Sequence, residues 1–254
     1  MSEPRPAITN LLRNGVLDAE LGALLWLLLE VRTPVVVVGT PGSARDAVLD
    51  GLASLLPPGA RRAHVALDDD FDWLPEAVEL GWRRERGVPE AQDEGSLSLD
   101  DGVLVVRGLG EVGGVDGARA RIVVRALALG YGLLATMSGD GLDDVLDTLH
   151  DPAVGTDEDE RSRLGVVLVL AKAVGTTRVV AAHYVRPVAL DTHGHVQRLP
   201  PAVLATWSPD AGRYDHFAWG LLPDLAGRTG MQPIEFEREQ ARRAGALAEA
   251  AAIA

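Results

Sequence analysis

The residues whose types and spacing could do chemistry begin at Gly39-Thr40-Pro41-Gly42-Ser43-Ala44-Arg45-Asp46, directly behind the valines Val35 to Val38. An apolar run, a glycine-bearing turn and a helical pattern from Ala47 to about Leu56 form the setting of a phosphate-binding loop, G-x-x-x-x-G-K-[ST]. Gly39 fits that template, whereas Ala44 stands at the second glycine, Arg45 at the lysine and Asp46 at the hydroxyl. A Cβ at Ala44 crowds the place where backbone must wrap phosphate. Arg45 keeps the positive charge but as a planar fork. Asp46 puts a carboxylate where a hydroxyl would help hold Mg²⁺, and a carboxylate at a helix start is itself a favourable cap. The loop therefore reads either as a phosphate site with altered chemistry or as a capped turn without a ligand.

Three further blocks carry candidate groups. Asp68-Asp69-Asp70-Phe71-Asp72 directly follows an expected strand, Arg61 to Leu67. Carboxylates at a strand end can bind a metal or position a water, and they can equally form a solvated turn. Glu111 follows the apolar run Val103 to Val106 within Gly108-Leu109-Gly110-Glu111-Val112-Gly113-Gly114. An acid in that setting orients water or Mg²⁺ in nucleotide hydrolases. His183, His193 and His195 fall near one expected hairpin. Two of them are spaced i, i+2, which suits one strand face, but without a cysteine or third ligand a surface hairpin is the simpler reading, and no metal site is expected. Trp73 and Trp82 flank the acidic stretch and are expected to pack. No nucleophile elbow occurs.

These groups need elements to hold them. Ile8 to Glu30 reads as helical, with Asp18 capping a segment in which Leu21, Leu24, Leu25, Leu28 and Leu29 recur at helical spacing. Strands are expected at Val35 to Val38, Arg61 to Leu67, Val103 to Val106, Leu133 to Met137 and Val166 to Leu170, and helices at Val115 to Leu129, Leu142 to Leu149 and Glu235 to Ala252. Glu76 to Gly102 lacks periodicity and reads as a surface loop with one helix. Asp157 to Arg163 reads as a charged turn. Thr177 to Val185 and Ala189 to Leu199 read as a hairpin about Thr192-His193-Gly194, with a further strand at Ala202 to Trp207 turned by Ser208 to Gly212. Strands alternating with helices and then short antiparallel strands imply a mainly parallel sheet. Gly39, Asp69, Glu111 and Ser138 should then converge on its carboxyl edge, where α/β ligands bind.

Composition sets outer bounds. The chain has 254 residues and a net charge of −13, with 47% hydrophobic and 4% aromatic residues. The core must therefore be built from Val, Leu and Ala. The acidic balance argues against a nucleic-acid partner. Lys172 is the only lysine, a usage that suits both a salt-adapted and a GC-rich source. There is no cysteine, so thiolate and disulfide chemistry are excluded. The apolar run Leu21 to Val31 is too short to span a bilayer, and no leader is visible. The expected location is cytoplasmic, at most peripheral at the inner face of a membrane.

Taken in order, the blocks resemble the C-terminal RecA-like motor domain of the type II/IV secretion ATPases, which power secretion, type IV pili and the archaellum, and most of all their archaeal branch. Ala19 to Leu27 resembles the helix before that family's phosphate loop, and Leu55-Leu56-Pro57-Pro58-Gly59-Ala60 the turn after the loop helix. Asp68-Asp69-Asp70 falls at the acidic box, Gly110-Glu111-Val112 at the Walker B segment, and Leu129-Gly130-Tyr131 with Ala135-Thr136-Met137-Ser138 at the histidine box. The resemblance covers nearly the whole chain.

The departures matter equally. Besides Ala44, Arg45 and Asp46, Gly113 replaces the Walker B arginine, and Tyr131 and Ser138 replace the histidines. The resemblance implies an α/β fold with a RecA-like P-loop NTPase core, a mainly parallel sheet with helices on both faces and a mixed antiparallel edge. The expected organisation is one domain: leading helices over 1–30, the core over 31–175, edge strands over 176–220 and C-terminal helices over 221–254, without the family's N-terminal domain. It further implies a degenerate, non-hydrolysing partner or regulator of a secretion or pilus machine, acting beside an active paralogous ATPase. Gly39 to Asp46 would be the remnant nucleotide loop, and Glu111, Asp69 and Asp70 remnant catalytic acids. The alternative is an active or nucleotide-binding ATPase that takes ATP and Mg²⁺ through a divergent loop. The family assembles rings, but this chain lacks several of the arginines that close them, so a monomer and a mixed assembly both stay open.

Overall fold

The computed structural model describes residues 6–83, 96–173, 175–190 and 195–253. Its centre is an eight-stranded sheet. The strands in chain order are β1 (Val35–Gly39), β2 (Arg61–Val65), β3 (Gly102–Val106), β4 (Gly132–Met137), β5 (Val166–Ala173), β6 (Thr176–Tyr184), β9 (Ala202–Ser208) and β10 (Arg213–His216), while β7 (Ala189–Leu190) and β8 (Val196–Gln197) form a separate small ribbon. Spatial order is β10-β9-β6-β5-β1-β4-β3-β2. The five strands from β5 to β2 pair in parallel, and β6, β9 and β10 add an antiparallel edge.

The valine run explains the layering. Side chains alternate across a strand. Val35 and Val37 join one buried cluster and Val36 and Val38 the other, so both faces of β1 are covered. Residues of helices α1 (Pro6–Arg13), α2 (Ala19–Glu30), α3 (Arg45–Ala53), α7 (Leu222–Thr229) and α8 (Pro233–Ile253) build the first cluster. Residues of α4 (Gly117–Leu129) and α5 (Leu142–His150) build the second. The expected parallel sheet with helices on both faces and an antiparallel edge is thus what the chain forms.

The leading helical stretch divides at Gly15, whose φ is +63°, and Asp18 caps α2 by accepting a hydrogen bond from the Leu21 amide at 2.9 Å. All residues from Leu21 to Leu29 are buried, not only one helical face. The outer face is covered by α8, where Leu247 is fully buried and Arg243 pairs with Glu30 at 2.7 Å while its guanidinium sits 4.9 Å from the Trp26 ring. A helix apolar all round needs such a second cover. Arg242 and then Arg243 hold the Glu239 carboxylate down to about 2 against the opposing effect of burial, which keeps the α8 side of this clamp anionic through mild acid.

Several sequence expectations change. β6 does not pair with 189–199. It lies between β5 and β9, and only 189–190 and 196–197 form a short ribbon, whose turn at 192–194 lies outside the described residues. An apolar strand with two partners belongs inside a sheet, and local spacing does not reveal which partner that is. The charged stretch at 157–163 contains a one-turn helix, α6 (Glu158–Arg161), closed by a capping box between Asp157 and Glu160. The described part of 76–102 holds turns rather than a helix before β3, and 84–95 lie outside the described residues. Strand β10 is an additional edge strand, and the expected C-terminal helical region divides at Gly230, whose φ is +71°, into α7 and α8. Among the described residues no helix is long and apolar enough to cross a membrane.

Candidate functional site

Parallel pairing brings the loops after β1, β3 and β4 to one edge of the sheet. The loop after β1 is tightly wound. The Ser43 amide donates to the Thr40 carbonyl at 3.0 Å, Gly42 has φ +82° and Ala44 has φ +59°. Ser43 is 4% exposed, and its hydroxyl has no hydrogen-bond partner. A Cβ on Gly39 would lie 2.5 Å from that hydroxyl, so Gly39 is required by the close approach of its own loop.

Ala44 holds the left-handed conformation directly before α3 and caps the helix without a side-chain bond. That conformation costs a non-glycine residue roughly 1 kcal/mol, and the exposed Ala44 side chain recovers nothing by burial. Ala44→Gly is therefore expected to stabilise the protein by about 1 kcal/mol in urea unfolding. A loss of stability would show that the alanine methyl contributes packing that outweighs the strain.

The loop after β3 folds back on itself. The Val115 amide donates to the Gly108 carbonyl at 3.0 Å, and the Gly110 amide to the Val115 carbonyl at 2.7 Å. Buried Thr136 on β4 ties the loop down by accepting from the Gly108 amide at its Oγ1, 3.0 Å, while its carbonyl accepts from the Leu109 amide at 2.8 Å. Any Cβ on Gly114 would fall 2.2 Å from the Gly108 carbonyl oxygen. These constraints hold Glu111 at the sheet edge although it sits five positions beyond the last residue of β3.

Arg45, the first residue of α3, joins the three loops. One of its terminal nitrogens donates to Glu111 Oε1 at 2.7 Å and to the Ser138 hydroxyl at 3.0 Å. The side chains of Arg45 and Glu111 are only 16% and 24% exposed, so solvent screens the pair weakly. Strand β4 lies between β1 and β3, and neighbouring strands are roughly 4.8 Å apart. A side chain from the middle strand's end is thus well placed to touch a cation that crosses from one outer strand to the other.

Asp46 does not cap α3. It accepts from Arg107 at 2.8 Å, and the same guanidinium reaches Asp50 one helical turn later at 2.8 Å. Hydrogen bonds to Asp50 and Asp46 raise Arg107 above its ordinary value. Arg107 and Asp50 were not singled out from sequence. The signal available was an arginine directly after β3 and two aspartates at i, i+4 on the facing helix.

The acidic stretch Asp68 to Asp72 lies elsewhere. Asp69 accepts from the Phe71 amide at 2.7 Å and from the Trp73 indole at 3.0 Å, and its own carbonyl accepts from Arg119 at 2.9 Å. Asp70 is exposed. Strand β2 lies three strands from β1, roughly 14 Å along the sheet, which separates both acids from Arg45. Trp73 and Trp82 pack on Phe71 at ring separations of 5.7 and 5.1 Å, as expected.

Tyr131 precedes β4 and Ser138 follows it. These two positions therefore sit at opposite ends of a six-residue strand, about 20 Å apart. Tyr131 is buried and donates to Glu76 at 2.9 Å, and burial followed by that acid pushes its hydroxyl well above the usual tyrosine range. His183 lies half-buried on β6, where burial lowers it from the ordinary histidine value. His193 lies outside the described residues. Among the described residues no three His, Asp or Glu side chains are grouped as metal ligands would be.

No protein-family model matches the chain. A stretch of 149 residues is 23% identical to an uncharacterized protein of Methanocaldococcus jannaschii, covering 56% of this chain and 53% of that protein. The matched part of the chain thus spans about half the length of that archaeal relative.

Proposed function

We propose that this chain is a degenerate homologue of the secretion and pilus ATPases, a RecA-like P-loop protein that acts as a non-hydrolysing partner of such a machine. One observation carries the reading: the cation at the phosphate-loop lysine position is bound at 2.7 Å by the acid at the Walker B position. The group that would hold phosphate and the group that would orient water neutralise each other. Asp46 supports this, because its carboxylate is paired with Arg107 instead of offering a hydroxyl to Mg²⁺. The ancestry is supported by placement: loop, acid and Ser138 come from the ends of parallel strands β1, β3 and β4, where α/β proteins bind ligands. The setting beside a secretion or pilus machine comes from the resemblance of the motif blocks.

A second reading, nucleotide binding without turnover, draws on the loop backbone. Gly42 and Ala44 keep positive φ, the curl that aims successive amides at an anion. Incubating the purified chain with Mg²⁺ and ATP tests the absence of turnover that both readings share. The expected result is no phosphate release above buffer. Turnover that Glu111→Gln abolishes would overturn the proposal. Calorimetry with ATP and ADP, with and without Mg²⁺, then decides between an empty relic and a silent nucleotide site.

A further inference from the structure

A cavity of about 500 Å³ opens between the end of β10, the short 3-10 turn Ala218–Leu221 and α8, far in the sheet order from the phosphate-type loop. Its floor is apolar, with Phe236 fully buried and Ala218 and Leu222 beside it. Its wall is Trp219, which is 75% exposed. Glu20 on α2 and Glu237 on α8 supply carboxylates, and Gln240 and His216 complete the polar lining.

The charge balance follows from the contacts. Asp18 is engaged, accepting from the Leu21 amide and lying 2.8 Å from His216 Nε2. Glu20 lies 3.7 Å from the same nitrogen and stays more than half exposed. A single imidazolium cannot balance Asp18, Glu20 and Glu237 together, so the cavity is net negative whether or not His216 carries a proton.

Three tryptophans of this fold each lie under a guanidinium. Arg243 lies over Trp26 at 4.9 Å, Arg119 over Trp82 at 5.1 Å and Arg178 over Trp207 at 4.3 Å. Each ring is covered by a guanidinium from the same chain. Trp219 instead lines an open cavity with carboxylates at its rim. An aromatic face attracts a cation electrostatically, most strongly for Trp, and guanidinium is the more weakly hydrated and planar of the biological cations.

We propose that this cavity is a binding site for a guanidinium group, stacked on Trp219 with its charge met by Glu20 and Glu237 and its aliphatic stem on Leu222. Two sources share that chemistry, an arginine side chain of a partner protein and a free guanidino compound.

The test titrates N-acetyl-arginine amide, a short peptide with one arginine, and agmatine into the full chain, followed by tryptophan fluorescence and calorimetry. Saturable binding is expected, with the uncharged citrulline analogue inert. Trp219→Ala and Glu237→Gln should each weaken binding about fivefold or more. Both positions are exposed, and a circular dichroism melt checks that the variants stay folded. Asp210→Asn, an exposed acid on the β9–β10 turn, should change nothing. A preference for the peptide assigns the site to a partner's arginine, and a preference for agmatine to a free compound. Equal binding of citrulline, equal weakening by Asp210→Asn, or no saturable binding of any guanidinium probe would overturn the site.

Discussion

Leu25→Ala is expected to destabilise the protein by about 3–4 kcal/mol, lowering the melting temperature by roughly 10 °C for a chain of this size. Leu25 is 0% exposed at the middle of α2, within the cluster that joins α2 to the sheet strands on one side and to α8 on the other. The cost has two parts, the lost transfer of a buried side chain and the void left between partners that both resist collapse. Val112→Ala is the internal contrast. Val112 is 100% exposed at the tip of the loop after β3, and its truncation should change stability by less than about 0.5 kcal/mol. Thermal unfolding by circular dichroism checks both. A shift for Leu25→Ala as small as that for Val112→Ala would mean that α2 is not clamped between the sheet and α8.

Glu111→Gln is expected to raise affinity for inorganic phosphate and for ATP by about tenfold or more, without creating turnover. The reason lies in competition. Arg45 now donates to Glu111 at 2.7 Å, and a hydrogen bond to a charged partner contributes about 1.5–3 kcal/mol. An incoming phosphate must displace that carboxylate, and 1.4 kcal/mol corresponds to about tenfold in affinity. Removing the carboxylate charge leaves Arg45 available at the start of α3, where the helix end also favours an anion. Arg45→Ala serves as the second measurement and should erase the gain in the double variant. Unchanged phosphate affinity in Glu111→Gln would show that the ion pair does not guard an anion site, and the degenerate-site reading would lose its central support.

Much of this architecture was legible in the residues. Four β-branched valines in a row read as a strand covered on both faces, and β1 is that strand. Asp18 before an apolar helical run is a cap, because its short carboxylate reaches the orphan amide of Leu21. The acid at Glu111 and the serine at Ser138 could be assigned to strand ends by counting from apolar runs. What could not be counted was register between distant segments. The placement of β6 between β5 and β9, instead of against 189–199, depends on long-range pairing for which an apolar strand carries no local label. The burial of α2 on every side depends on α8, more than 200 residues later in the chain.

The sequence by itself determined the five parallel strands and the helices between them, their order, the departures at Ala44, Arg45 and Asp46, and the exclusion of thiolate chemistry. Only the tertiary structure decided which candidate groups meet. It joined Arg45, Glu111 and Ser138 because β1, β4 and β3 are neighbours running in the same direction. It left Asp69 in its own loop because β2 lies three strands away. It sent Tyr131 to the far edge because a strand separates it from Ser138. It drew Asp46 to Arg107, a pairing that no motif contains. Motif spacing fixes distance along the chain, whereas chemistry depends on distance through space, and in a sheet that distance is set by strand order.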